Sequence, residues 1–150
     1  MTVRLRPMRW SDVDVLLPFE QELFEGDPPW TADQFRSELE GVPGTRWYVV
    51  ADEAGELVGY AGLFHSGDTA DVQTLAVVPD RQRRGVGTAL LDGLVTEARR
   101  RGAGELLLDV RVDNVPAQAF YTRHGFEQLR TRHGYYANGR VDGLVLRRPL

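Results

Sequence analysis

Val77-Val78-Pro79-Asp80-Arg81-Gln82-Arg83-Arg84-Gly85-Val86-Gly87-Thr88 is the stretch whose reading decides the fold. An apolar strand stops at Pro79, and a helix opens near Gly85 with no ordinary capping side chain in front of it. Several helix N-terminal N–H groups are then left without partners. Glycines at 85 and 87 let an anion approach the backbone, and the positive end of the helix dipole favours it. Arg81, Arg83 and Arg84 add positive charge, so a pyrophosphate is the natural ligand. A bare G-x-G also fits a glycine-capped, basic helix start. Two other nucleotide signatures are missing. No G-x-x-x-x-G-K-[ST] occurs, and no G-x-G-x-x-G opens the first β-α unit with an acidic residue about 20 further on.

Outward from this loop, the pattern predicts a strand over Val3–Met8 and a helix from the cap candidate Ser11 to about Phe24. Gly26-Asp27-Pro28-Pro29-Trp30 is a loop, because two prolines cannot continue that helix. Thr31 and Gln34 form a capping box for a short helix to about Glu40. Arg46–Asp52 and Leu57–His65 read as strands joined by the hairpin turn Glu53-Ala54-Gly55-Glu56, and Asp71–Val78 as a third. The helix after the loop runs over about Gly85–Arg101, with Leu90, Leu91, Leu94, Val95 and Ala98 on one face. Strand Glu105–Val112, helix Val115–His124 and strands Glu127–Tyr136 and Arg140–Arg148 complete the chain. The order is that of an α/β protein: a mixed, mostly antiparallel sheet with helices on both faces.

A chain of 150 residues with 42% hydrophobic and 27% charged content is one ordinary soluble domain. No apolar run approaches the roughly 18 residues of a membrane span. The N-terminus alternates like a strand and lacks a signal-peptide core. With no cysteine there is no disulfide, thiolate metal site or cysteine nucleophile, and the expected location is cytoplasmic. A net charge of -4 argues against a nucleic-acid binder. His65, His124 and His133 stand alone, and no His/Asp/Glu cluster has metal spacing.

Gln82-Arg83-Arg84-Gly85-Val86-Gly87 resembles the Q/R-x-x-G-x-G/A motif of the GNAT acetyltransferases, placed between strand four and helix three as that fold has it. Asp113-Asn114-Val115-Pro116-Ala117-Gln118-Ala119-Phe120-Tyr121-Thr122-Arg123-His124-Gly125-Phe126 resembles their second motif, N-x-x-A-x-x-[LF]-Y-x-x-x-G-F. The resemblance covers the whole chain, residues 1–150, as one domain in element order. It implies acetyl-CoA as co-substrate, with residues 82–87 and Thr88 around the pyrophosphate. It also implies Leu75-Ala76-Val77 as the splayed segment that binds the pantetheine arm and polarises the thioester. Any buried strand can read Leu-Ala-Val, so only position relative to the loop supports that role.

In these enzymes the amine attacks the thioester directly, which requires a neutral amine, a stabilised oxyanion and a proton for the thiolate. The resemblance gives Asn114 to the cofactor arm, although an N-cap role explains it equally, and Tyr121 to the proton donor. A phenol near pKa 10 is protonated at neutral pH and able to donate. Leu106-Leu107-Leu108-Asp109-Val110-Arg111 places a carboxylate inside an apolar run, where it is used or paired. It resembles the L-E-V-R segment of the RimI-like ribosomal-protein alanine N-acetyltransferases, whose glutamate is the proposed base. Asp109 is one methylene shorter, and a structural partnership with Arg111 or a backbone donor competes with that role. Asp71, or water, is the other candidate base.

Leu23-Phe24-Glu25-Gly26-Asp27-Pro28-Pro29-Trp30, with Phe35 and Glu38-Leu39, resembles the first-helix loop of the RimI-like enzymes, as Tyr135-Tyr136 and Asn138-Gly139-Arg140 resemble their C-terminal loop. Trp30, Tyr135 and Tyr136 either wall a groove for an extended peptide or seal the edge of the core. The resemblance implies the N-terminal alanine of the eighteenth small-subunit ribosomal protein as acceptor. A small amine or antibiotic, or a non-catalytic acyl-CoA-binding module, are the other readings.

Overall fold

Strands β1 (Arg4–Pro7), β2 (Arg46–Glu53), β3 (Glu56–Ser66), β4 (Thr69–Val77), β5 (Glu105–Arg111), β6 (Glu127–Tyr136) and β7 (Val141–Pro149) alternate with helices α1 (Asp12–Leu23), α2 (Ala32–Glu40), α3 (Val86–Arg100) and α4 (Val115–Arg123). This is a computed structural model that describes residues 3–23 and 27–150. Within them the strands form one sheet, ordered β1-β2-β3-β4-β5-β7-β6. Only β4 and β5 run parallel; every other neighbouring pair is antiparallel.

Local chemistry sets the element ends. The Thr31 hydroxyl accepts from the Gln34 amide at 3.1 Å while the Gln34 side chain accepts from the Thr31 amide at 2.7 Å, a closed capping box. Ala54 and Gly55 both have positive φ, as a two-residue hairpin requires. α1 begins directly after Ser11, the expected cap position, and the Asp12 carboxylate accepts from the Arg9 amide at 2.7 Å and from Arg6 at 2.8 and 3.0 Å, fastening the helix start to β1. The expected end of α1 at Phe24 lies outside the described residues.

The strands alternate between two layers. Val49 and Ala51 of β2 face α3, where Leu90, Leu91, Leu94, Val95 and Ala98 are buried with Leu106 and Leu108. Tyr48 and Val50 face the opposite way, against Val13 and Leu16 of α1 and Phe35 of α2. Each fully buried leucine in such a layer is worth about 1.5–3 kcal/mol. The second layer draws its strand residues from β2, β3 and β4 only. Among the described residues, the helices packed on that face cover no core residue of β5, β7 or β6.

Two irregularities interrupt the middle of the sheet. β3 and β4 shift register between Gly62 and Leu63, so Gln73 is an extra, bulged residue of β4. β4 and β5 pair only at Thr69↔Glu105, Ala70↔Leu106 and Asp71↔Leu107, then part.

Candidate active site

Beyond Asp71 the two parallel strands open into a cavity of about 430 Å³. Val72, Gln73, Thr74 and Leu75 line one side; Leu108, Asp109, Val110 and Arg111 line the other. The Val78 amide donates to Val58 of β3 at 2.9 Å. By the two-residue alternation of an antiparallel ladder, the peptide groups of Ala76 and Thr74 also face β3, and those of Leu75 and Val77 face the opening. A ligand lying in the gap would therefore meet unpaired main-chain groups, as an added strand does.

At the end of β4 the chain makes a single 3-10 turn, Pro79–Arg81, before α3. The Gln82 side chain donates to the Val77 carbonyl at 3.1 Å and folds the loop back on the strand. Arg83 and Gly85 both have positive φ. Gly85 is the left-handed N-cap of α3, with no side-chain cap. The first helical bond runs from the Ala89 amide to Gly85, leaving the Val86, Gly87 and Thr88 amides without carbonyl partners among the described residues. At Gly87 an added Cβ would meet the Phe120 ring at 3.4 Å. Arg81 is held by Glu53, Glu56 and Asp80 and is not available to a ligand in this arrangement. Arg83 and Arg84 form no ion pair among the described residues and are exposed. The loop is thus an uncapped helix start with free amides and two free guanidinium groups, which suits an anion.

α4 brings two further residues to the cavity, Asn114 and Tyr121. Asn114 is the N-cap, its Oδ1 accepting from the Ala117 amide at 3.2 Å, so capping is one of its roles. Tyr121 is 9% exposed and packs edge-on against Phe120 and Phe126, at 5.1 and 5.3 Å between centroids. Its hydroxyl has no hydrogen-bond partner among the described residues, and burial alone pushes the phenol up from its usual value. It is therefore a protonated donor at neutral pH. α4 is tied to α3 through His124, whose Nδ1 lies 2.7 Å from the Phe120 carbonyl and whose Nε2 lies 3.1 Å from the Thr88 hydroxyl. A carbonyl only accepts, so Nδ1 carries a proton, and Nε2 shares a hydrogen bond with the Thr88 hydroxyl. Thr88 thus holds the loop to α4 with its side chain while its amide stays free.

On the opposite side, Asp109 does not partner Arg111. It accepts from Arg132 of β6 at 2.8 Å, and its side chain is 33% exposed. Arg111 turns instead to Asp113 at 2.9 Å and to Asp27, whose other oxygen accepts from the Ala137 amide at 3.0 Å. Asp71 sits below the opening, where β4 and β5 still pair, and does not line the cavity. Burial, then the charge of Asp109, raises its carboxyl above the ordinary value, with Arg132 opposing.

The outer wall joins the two loops. Trp30 packs on Phe35 at 5.0 Å, and Tyr135 meets Tyr136 edge-on at 4.9 Å. Trp30, Tyr135 and Tyr136 all line the cavity. Tyr136 is half-buried, with Arg111 over its ring and its phenol raised chiefly by burial. Asp27 spans the gap between these walls by holding Arg111 and Ala137 together. Glu20 of α1 lies at the base, accepting from the Tyr60 hydroxyl at 2.7 Å and the Trp30 amide at 3.2 Å.

Glu20, Gln73, Asp27 and Arg132 were not among the residues expected from sequence. The Asp27-Pro28-Pro29 turn pointed at one of them only as part of a loop. Gln73 donates to Glu38 at 3.1 Å, where Arg46 and Tyr48 also converge, so α2 is anchored on the bulge. Among the described residues no three potential ligands come together to hold a metal ion, and no helix is long and apolar enough to cross a membrane.

The profile of the acetyltransferase (GNAT) family matches residues 11–126. An uncharacterized protein of Mycobacterium leprae is 40% identical over 142 residues; the match spans 92% of the chain but 38% of that longer protein. The N-alpha-acetyltransferase RimI of Mycobacterium tuberculosis is 38% identical over 142 residues, covering 92% of the chain and 87% of the relative. The crystal structure of the ribosomal-protein-S18-alanine N-acetyltransferase from Escherichia coli superposes with a TM-score of 0.85 at 29% identity, covering 99% of the chain and 94% of that structure.

Proposed function

The chain belongs to the acetyltransferase (GNAT) family, and from that premise we propose that it moves the acetyl group of acetyl-CoA to the N-terminal α-amine of a protein. The RimI-like relatives supply the acceptor: the terminal alanine of the small-subunit ribosomal protein S18, met in the cytoplasm. The observation that carries a peptide acceptor is the walled gap between Trp30 and Tyr135-Tyr136, bridged by Asp27, alongside strand edges that can pair with an extended chain.

In this reading Val86, Gly87 and Thr88 offer their amides to the pyrophosphate, with Arg83 and Arg84 beside them. Gln82 holds the loop against β4. The outward peptide groups around Leu75, Ala76 and Val77 take the pantetheine arm and the thioester carbonyl, and Asn114 contacts the same arm while capping α4. The amine nitrogen attacks the thioester carbon in a ternary complex, the C–S bond breaks, and Tyr121 gives its proton to the departing sulfur. Asp109 accepts the proton the amine must lose, directly or through water. Its place on the cavity wall favours it over Asp71, and an α-amine with pKa near 8 needs only a weak base. Incubating the protein with acetyl-CoA and alanine-initial peptides, and locating the added acetyl group by mass spectrometry, tests the reading. Acetylation of small amines or aminoglycosides but of no peptide would replace the acceptor, and coenzyme A binding without transfer to any amine would make the chain a sensor.

A further inference from the structure

Three carboxylates of the described chain are buried: Asp12, Glu20 and Glu97. Two of them meet arginine. Asp12 accepts from Arg6, and Glu97 from Arg100 and Arg101. Glu20, 3% exposed, forms no ion pair among the described residues, and residues 1, 2 and 24–26 contain no arginine. Its two partners among the described residues, the Tyr60 hydroxyl and the Trp30 amide, are neutral. An ionised carboxylate out of water on two neutral donors is costly unless a cation completes it. Toward the described residues each oxygen has used one acceptor position and keeps another.

Glu20 differs from the other two in a second respect: it faces the cavity, with Gln73, Thr74, Asp109 and Tyr121. We infer that the missing cation arrives with the substrate, and that Glu20 is the subsite for the acceptor's protonated amine. The inference rests on the reading that this cavity receives an acceptor amine. The ammonium docks on the free acceptor positions of Glu20, while Tyr60 and Trp30 fix the carboxylate's orientation. Burial and the neighbouring carboxylate push the Tyr60 phenol up, so it stays a donor. The proton is lost after docking, because the nitrogen needs its lone pair to attack. Glu20 thereby selects a cationic amine over a neutral group of the same shape; it determines specificity and is not the base.

The test compares an alanine-initial peptide with the same peptide carrying a hydroxyl in place of the α-amine, binding each by calorimetry to the coenzyme A complex. A charged hydrogen bond of this kind corresponds to a preference of about 10- to 100-fold for the amine. Glu20→Gln should erase that preference while leaving affinity for the hydroxyl peptide and for coenzyme A unchanged. A folded Glu20→Gln protein that keeps the preference overturns the proposal, since a purely structural carboxylate cannot distinguish the two peptides. Where Glu20→Gln fails to fold, Glu20→Asp decides. It keeps the charge but draws the carboxylate back by one methylene, so the preference should shrink, and an undiminished preference overturns the proposal. A wild-type protein that binds both peptides equally refutes the subsite alone. One that binds neither refutes the peptide reading, and the subsite with it.

Discussion

Tyr121→Phe separates chemistry from packing more cleanly than any other change in this site. The ring keeps its edge-on contacts with Phe120 and Phe126, and no hydrogen bond to a described residue is lost. Removing an unpaired hydroxyl from a site 9% exposed should change stability by roughly 1 kcal/mol or less, in either direction. For a chain of this size that is about 4 °C or less in melting temperature. Loss of a general acid costs a factor of roughly 10² to 10⁴, or about 2.7 to 5.4 kcal/mol of barrier. The two scales do not overlap. Single-turnover acetyl transfer, with both substrates saturating, reads the second, and calorimetry reads the first. Burial raises the phenol, so the donor stays protonated past its ordinary value of about 10, and kcat should show no alkaline loss from this group below that pH. A variant that turns over within about twofold of wild type refutes the donor role.

Other outcomes rest on the same geometry. Gly87→Glu puts an anion at the open start of α3, where the new Cβ makes an ordinary 3.4 Å contact with Phe120; acetyl-CoA affinity should fall about tenfold or more with melting unchanged, and undiminished affinity in the folded variant removes the pyrophosphate from that loop. Asp109→Asn should lower activity at neutral pH and recover part of it as the amine deprotonates by itself; full activity at pH 7 transfers the role to Asp71 or water. The same variant removes one cause of the raised Asp71 pKa and leaves Arg132 to lower it, so a carbon NMR titration should show the Asp71 midpoint moving down. A raised carboxyl penalises the folded state as pH climbs past the ordinary carboxylate value, and that penalty shrinks in Asp109→Asn. Asp27→Ala releases Arg111 and the Ala137 amide, which should raise KM for a peptide roughly tenfold while KM for acetyl-CoA holds; equal changes in both would place Asp27 in the scaffold alone.

What could be read in the residues was what is local in the chain. The α3 stripe from Leu90 to Ala98, the Thr31–Gln34 box and the limits of β6 all depend on neighbours within a few residues. The observed elements agree with those readings to within a residue or two. The partners of the charged residues were not legible, because they are set by the sheet order. Asp109 and Arg111 are two apart on one face of β5, yet one reaches Arg132 and the other Asp27, 23 and 84 residues away. Glu20 sits among Phe19, Gln21 and Glu22 and has the look of a solvated helix position. Only the fold, by setting it against Tyr60, makes it a buried charge.

The opening of the sheet itself traces to one residue. Ala70 and Val72 face the α3 layer, and so do Leu75 and Val77, while Ala76 joins the layer beneath α1 and α2. Even-numbered positions face α3 before Gln73 and odd-numbered ones after it, so the bulge is where the strand changes phase. Without the extra residue Ala76 would turn toward α3, and Leu75 and Val77 toward the opposite layer. A bulge also bends its strand and increases the local twist, and it falls two residues after the last β4–β5 pair. Glu38 holds the Gln73 side chain from α2, and Tyr48, which donates to the same carboxylate at 2.7 Å, lies across Gly62, where any Cβ would stand 2.1 Å from its ring. The helix, the glycine and the extra glutamine together enforce the separation of β4 from β5. That separation leaves the Leu75 peptide groups without a strand partner on the cavity that Tyr121 and Asp109 also line, so the cavity arises from the way the sheet is forced to part.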